Sequence, residues 1–196
     1  MNIGTLVLAA GSSSRMGRSK QLLEIEGESL LCRCVKLALT ATPENVVVIL
    51  GANEKPHRDI IEQMPVHIIS NYYWKTGMGS SIKTGLNYLV QSDADLDAVL
   101  ILVCDQPALT AEYLQKLILK FQEKKKAIVA SRYSDSSGVP VLFGRSFFSN
   151  LLLLNDDHGA KKIVQQFPDQ LETVEFPNGA FDLDTEDDYQ NYLNRK

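Results

Sequence analysis

Apolar and polar positions follow two rhythms along this chain. Continuous apolar runs read as strands: "TLVLAA" from Thr5, "NVVVILG" from Asn45 and "DAVLILVCD" from Asp97, the last suited to a central strand buried on both faces. "PVHIIS", "AIVAS", "VPVLF" and "ETVEF" add shorter extended segments. Between them lie helical patterns. "SLLCRCVKLALTA" begins at about Ser29, "HRDIIEQM" follows the second strand, and "SSIKTGLNYLV" has Ser80 and Ser81 as candidate caps. "TAEYLQKLILKFQEKKK" is capped by Thr110 and ends in basic residues, and "RSFFSNLLLL" and "GAKKIVQQF" are further helices. "TEDDYQNYLNR" closes the pattern with an acidic first turn, as a helix dipole favours. Strands alternating with helices predict an α/β fold, a mostly parallel central sheet with helices on both faces. No repeat, linker or low-complexity tract interrupts residues 1–196, which read as a single domain. An irregular insertion is expected at about 131–160, entered through the turn-rich "YSDSSG". Ligands in such sheets bind beyond the carboxyl ends of the strands. That predicts one rim built from the loop after Gly11, the residues after Val103 and the loop after Tyr133.

Composition narrows the picture. A hydrophobic share of 44% and a charged share of 22% fit a soluble globular protein. With a net charge of -4, broad attraction to nucleic acid or to an anionic membrane is not expected, so any bound anion must meet a local cluster of cations. The cysteines number 3, an odd count, and Cys32 and Cys34 diverge on a helix; no disulfide framework is expected, and they read as small hydrophobes in a reducing compartment. His57, His67 and His158 show no metal-ligand spacing. No run approaches the roughly 18 apolar residues of a membrane helix. The run from Ile3 to Ala10 lacks the basic flank of a signal peptide, so a cytoplasmic protein is expected.

Four stretches carry candidate chemistry. In "LVLAAGSSSRMGRSK" a buried strand runs into small residues and cations. Gly11 permits a sharp turn with accessible amides, Ser12 and its neighbours add hydroxyls, and Arg15 and Lys20 can pair with phosphate. The loop is neither a Walker loop nor a dinucleotide fingerprint, because the required glycines and Gly-Lys pair are absent. An anion cradle and a plain strand-to-helix turn both remain open. In "VCDQP", Asp105 ends the central strand, where a carboxylate is costly unless a hydrogen-bond network or a metal compensates it; a turn cap is the alternative. In "FDLDTEDDY", Asp182 and Asp184 alternate along an extended segment and face the same way, toward a shared cation; the alternative is helix capping by Asp184 or Thr185, with Glu186, Asp187 and Asp188 serving the dipole. In "NYYWKTGMGSSIKTG", Gly77 and Gly79 frame a loop before a helix start able to read a base or hold phosphate, with Tyr73 and Trp74 weighed chiefly as packing residues.

Together these stretches resemble one family, the nucleotidyltransferases of the molybdopterin-guanine-dinucleotide synthase type. "LAAGSSSRMGRSKQLL" is similar to its signature L-A-x-G-x-S-x-R-M-G-x-x-K. "NYYWKTGMGSSIKTGL", "CDQP", "GVPVLF", "DDHGAKKI" and "DLDTEDDY" resemble the branch of molybdenum cofactor cytidylyltransferases, so the likeness runs from Leu6 to Tyr189. The resemblance implies a Rossmann-like nucleotidyltransferase fold and Mg²⁺-dependent transfer of CMP from CTP to molybdopterin, with release of pyrophosphate. It implies catalytic roles for Lys20, Arg15 and Asp105: Arg15 on the β- and γ-phosphates, Lys20 on the α-phosphate, Asp105 and Asp184 on Mg²⁺. Leu8, Ala9, Ala10, Gly11, Ser12, Gly79, Ser80 and Ser81 would complete the nucleotide site, and Gly138, Pro140, Asp157 and Gly159 would meet the acceptor. A molybdenum hydroxylase would be the client. Two alternatives stand beside this: transfer from another NTP or to another phosphorylated acceptor, and a non-catalytic cofactor chaperone. The sequence departs from the family at Val139, where relatives carry His, and at Asp156-Asp157-His158, where they carry Gly-Asp-x; both fall in the acceptor half.

Overall fold

A computed structural model gives the structure of residues 1–123, 125–133 and 136–194. In chain order the elements are β1 (Ile3–Leu8), β2 (Glu24–Ile25), β3 (Glu28–Ser29), α1 (Leu30–Ala41), β4 (Val46–Leu50), α2 (Glu54–Asp59), β5 (His67–Ser70) and α3 (Met78–Ser92). Then follow β6 (Ala98–Val103), α4 (Ala111–Gln122), β7 (Ile128–Tyr133), β8 (Ser136–Gly144), α5 (Phe148–Leu152), α6 (Lys161–Gln166), β9 (Leu171–Glu175) and α7 (Glu186–Asn194). Among the described residues the main sheet has the order β5-β4-β1-β6-β8-β7-β9. All neighbours run parallel except β8, which is antiparallel to both β6 and β7.

The sheet is covered on both faces, as the alternation of elements predicts. On one face Leu31, Cys34, Val35 and Ala38 of α1 and Leu114 and Leu117 of α4 pack against Val7, Val48 and Leu102. The side-chain spacing is that of an amphipathic helix, and the Ser29 hydroxyl caps α1 by accepting from Cys32 N. On the other face Ile82, Leu86 and Leu89 of α3 join Leu151 and Ile163 over Leu6, Ile49 and Ile101. Ala98, Leu100 and Leu102 of β6 meet the first cluster and Val99 and Ile101 the second, so the strand is apolar on both faces. A smaller cluster of Met16, Leu23, Ile25, Leu30 and Leu183 sits apart from both.

The structure corrects three expectations. The expected strand "VPVLF" begins earlier, at Ser136, so 136–144 are an ordered strand inside the sheet where an irregular insertion was expected, because Tyr133 and Ser136 pair directly and the small residues continue the ladder. The helix after β4 starts earlier, at Glu54, where Asn53 takes the left-handed conformation with φ 53°. Ser80 and Ser81 are not caps; α3 starts before them, at Gly77, whose φ of 130° suits glycine and whose missing Cβ leaves room for Asp156 O, 2.3 Å from where it would lie. The cap at Thr110 is as expected, accepting from Tyr113 N. The turn expected at 134–135, the basic stretch at Lys124 and the helix end at Arg195 lie outside the described residues. Cys32, Cys34 and Cys104 are free thiols, and no helix among the described residues is long and apolar enough to cross a membrane.

Candidate active site

The carboxyl ends of β1 and β6 open onto a cleft of about 340 Å³. Leu8, Ala10, Gly11 and Ser12 line it from the first strand and loop, Lys20 and Gln21 from the loop's far end, and Asp105 from the end of β6. Trp74, Gly77, Met78 and Ser81 form the opposite wall. The floor is tight. A Cβ on Gly51 would fall 2.7 Å from Trp74 Cβ and 2.9 Å from Ala10 Cβ, so these two side chains meet over a bare backbone.

The first loop holds its shape through a side chain that no motif marks. Gln21 is buried and donates to the carbonyls of Ala9 and Gly11 at 3.2 and 2.9 Å, while its Oε1 accepts from the Ser13 and Ser19 hydroxyls at 3.1 and 2.8 Å. All its hydrogen-bonding groups are engaged, and both ends of the loop are tied to one point. Ser13, at φ 53°, turns the chain and accepts from Lys20 N. The Ser19 hydroxyl also meets His57 Nε2 at 2.5 Å, and burial pushes the His57 pKa down. Gly11, Ser12 and Arg15 are left exposed on the outer side of the loop.

Lys20 reaches across the rim, its Nζ 2.5 Å from Asp105 Oδ2 and 3.2 Å from Asp184 Oδ1. Burial disfavours its charge, but the two carboxylates outweigh that and raise its pKa above the ordinary lysine value. The carboxylate at the end of the central strand is thus compensated by a lysine, where the sequence pointed to a network or a metal. Asp184 is paired on its other side with Arg15, at 2.9 Å. Asp182 faces the same region, as the alternation predicted: burial, then Asp105 and Asp184, push its carboxyl up to about 6. Burial likewise raises Tyr133, with Asp182 and Asp105 adding to the effect. No cluster of three or more His, Cys, Asp or Glu suited to a metal occurs among the described residues.

The structure gathers Leu8, Ala10, Gly11, Ser12, Lys20, Ser81, Asp105 and, at the rim, Arg15 and Asp184. Others stand apart from the cleft. Ala9 points into the core against α1. Gly79 packs on the backbone of residues 155–158, its N–H donating to Asp156 O at 2.8 Å. Ser80 is turned inward, its hydroxyl on the carbonyl of Gly77 at 2.7 Å. The expected acceptor residues divide into two places. Gly138 and Pro140 lie on β8 beside Gln106, which donates to Val139 O at 3.2 Å, while the segment of Asp157 and Gly159 abuts Gly77 and Met78. Lys83 fixes that segment through Asp156 Oδ1 at 2.5 Å and Leu154 O at 2.9 Å. Sequence reasoning missed Gln21, Asn71 and Gln106 because lone buried amides leave no periodic trace. Trp74 was weighed as packing, and it both packs and lines the cleft.

A mostly parallel sheet that delivers a cation-bearing loop and a carboxylate to one rim suits a nucleotidyltransferase, and similarity to a known family gives this chain that class. It belongs to the family of MobA-like NTP transferase domains, which it matches over residues 5–173. Among solved structures, Rv0371c from Mycobacterium tuberculosis H37Rv superposes with a TM-score of 0.81 at 25% identity, covering 99% of both chains, and it has also been solved in complex with manganese. Among curated relatives, the bifunctional protein GlmU of Prochlorococcus marinus is 32% identical over 74% of this chain, which spans only 31% of that protein's length. "Probable molybdenum cofactor guanylyltransferase" of Synechococcus elongatus is 35% identical over 59% of this chain and 56% of its own length. The chain is therefore related to the molybdenum cofactor nucleotidyltransferases.

Proposed function

We propose that the protein transfers CMP from CTP to a molybdopterin-type acceptor with release of pyrophosphate. The observation that carries the transfer chemistry is the Lys20 ammonium, held between Asp105 and Asp184 at the mouth of the cleft, beside exposed loop residues and Arg15. An acceptor phosphate oxygen attacks the α-phosphorus and the bond to the β-phosphate breaks. Both reactants are anions, so the enzyme's tasks are positioning and charge stabilisation, and no protein nucleophile is needed. Gly11, Ser12 and Arg15 receive the β- and γ-phosphates, and Lys20 stabilises charge spreading onto the α-phosphate.

Two hard oxygen donors converging on one cation position fit Mg²⁺, which commonly takes one or two carboxylates and completes its shell with phosphate oxygens and water. Asp105 and Asp184 would hold it, which leaves the Lys20 ammonium free to turn to the nucleotide. When bound, the metal supplies Lewis-acid stabilisation of phosphate charge. The cytidylyl reading is supported by the Ala10 methyl on the cleft floor, since a narrower floor favours a pyrimidine. Gly138 and Pro140, on the Asp105 side, are the better-placed acceptor contacts, and Asp157 and Gly159 act through the cleft wall. A molybdenum hydroxylase fits as recipient of the product.

The test supplies purified protein with each NTP in turn, molybdopterin and Mg²⁺, following pyrophosphate and dinucleotide. We expect CTP to exceed GTP in kcat/KM and Ala10→Gly to relax the preference only partly, as one methyl group in a pocket is worth about 1–3 kcal/mol. Equal use of GTP would sink the cytidylyl assignment, and absence of pyrophosphate with every NTP would sink the transfer reading.

A further inference from the structure

Asn71, just beyond β5, is 2% exposed, and its orientation follows from its neighbours. The Tyr73 backbone N–H, which can only donate, lies 2.9 Å from Oδ1. The amide nitrogen therefore points the other way, where it donates to the hydroxyls of Ser80 at 2.8 Å and Ser81 at 3.0 Å. Each hydroxyl has one proton to place. Ser80 directs its own to the carbonyl oxygens of Gly77 and Tyr73, at 2.7 and 3.1 Å. Ser81 accepts from Asn71, and its proton has no acceptor among the described residues, although the residue lines the cleft beside Ala10 and Trp74.

A serine in a binding site is ambidextrous, because its hydroxyl rotates to donate or accept as the ligand requires. Here one lone pair is engaged from behind, and the proton, which the Asn71 N–H keeps from turning inward, is left for the cleft. We propose that Asn71 is a positioning residue that fixes Ser81 as a hydrogen-bond donor, so that the cleft selects a base whose facing edge accepts. This rests on the nucleotidyl-transfer reading. Cytosine presents a carbonyl oxygen and an unprotonated ring nitrogen side by side on its pairing edge, whereas guanine presents N–H groups beside its carbonyl. A donor held against that edge finds two adjacent acceptors in cytosine but in guanine one acceptor flanked by N–H groups that repel it, whereas a freely rotating hydroxyl can turn to accept from those N–H groups. Selectivity thus resides in a buried side chain that never touches the nucleotide.

The experiment measures CTP and GTP affinity by calorimetry, with Mg²⁺ and without acceptor, for wild type, Asn71→Asp, Ser81→Ala and the double variant. The aspartate keeps the shape of Asn71 but accepts, so it draws the Ser81 proton away from the cleft. CTP affinity should fall about tenfold in each single variant, the scale of one hydrogen bond, with GTP little changed. The double variant should lose no more than either single one, since both remove the same donor. Should the buried carboxylate prevent folding, Asn71→Ala makes the same comparison, with the hydroxyl released to rotate and the CTP-to-GTP ratio collapsing. An unchanged ratio in the folded Asn71 variants, additive losses, or a Ser81→Ala protein that binds both nucleotides as wild type does would each overturn the proposal. A wild type that prefers GTP would instead remove the cytidylyl reading and the choice of base, and the coupling of the two variants would still decide the wiring.

Discussion

Lys20 serves as the counter-charge for Asp105 and Asp184. Its removal takes the cation from the α-phosphate and leaves two carboxylates facing each other. Lys20→Ala should lose about 100-fold or more in kcat, the scale seen when a charge-stabilising donor is deleted. A folded variant turning over within about threefold of wild type would reduce Lys20 to an ion-pair partner. Asp182 makes a different point, about pH. Its carboxyl is pushed up to about 6 from an ordinary 3.8, so between those values the folded protein holds a proton that the unfolded chain releases. The associated stability is present below pH 3.8 and is lost as pH rises through about 6. In metal-free protein the melting temperature of Asp182→Asn relative to wild type should therefore climb from pH 4 to about pH 7. A difference that stays flat across that range would contradict it.

Elements explain why some of the site could be read in advance and some could not. Lys20 and Asp105 were legible because a strand leading into small residues and cations, and an acid ending an apolar run, are local signals. The start of α3 was misread: Ser80 and Ser81 look like caps, yet the helix begins at Gly77 because only a residue without Cβ fits against Asp156. The strand "VPVLF" was read correctly, but the start of β8 was misread as turn because Ser136, Ser137 and Gly138 have turn composition, and only their partners on β7 make them extended. The amide of Gln21 carries no pattern at all. The contact of α3 with residues 155–158 gives an element-scale prediction. A methyl at Gly79 would lie 2.4 Å from Asn155 O and 2.8 Å from His158 O, both backbone atoms in a segment anchored by Lys83. Gly79→Ala should cost about 1–3 kcal/mol in urea unfolding and weaken nucleotide binding through the displaced wall at Met78. Unchanged stability would mean that the segment yields freely.

Over the whole molecule, the site is shared between distant stretches. The opening loop and the closing helix clasp each other: Arg18 forms a two-pronged pair with Glu186 and stacks over the Tyr189 ring, Tyr189 donates to Glu24 O, and Leu183 N donates to Asp105 O. Leu183, fully buried in the small cluster with Met16, Leu23, Ile25 and Leu30, anchors the segment carrying Asp182 and Asp184. Leu183→Ala should loosen that cluster while the sheet holds, because the two large cores on the sheet faces do not include it. Hydrogen exchange should accelerate at residues 20–30 and 183–194, with β1, β4 and β6 still protected, and activity should fall with the displaced carboxylates. Uniform acceleration through the sheet would show that the clasp belongs to the global fold.

That clasp also orders events in time. A ribosome releases Lys20 before Asp105, and Asp184, at a sequence separation of 164 from Lys20, later than both. Between Asp105 and Asp184 the growing polypeptide can pair Lys20 with the first carboxylate alone, and the second has yet to be made. A nascent chain that stops short of Asp184 therefore lacks the second carboxylate of the proposed cation site.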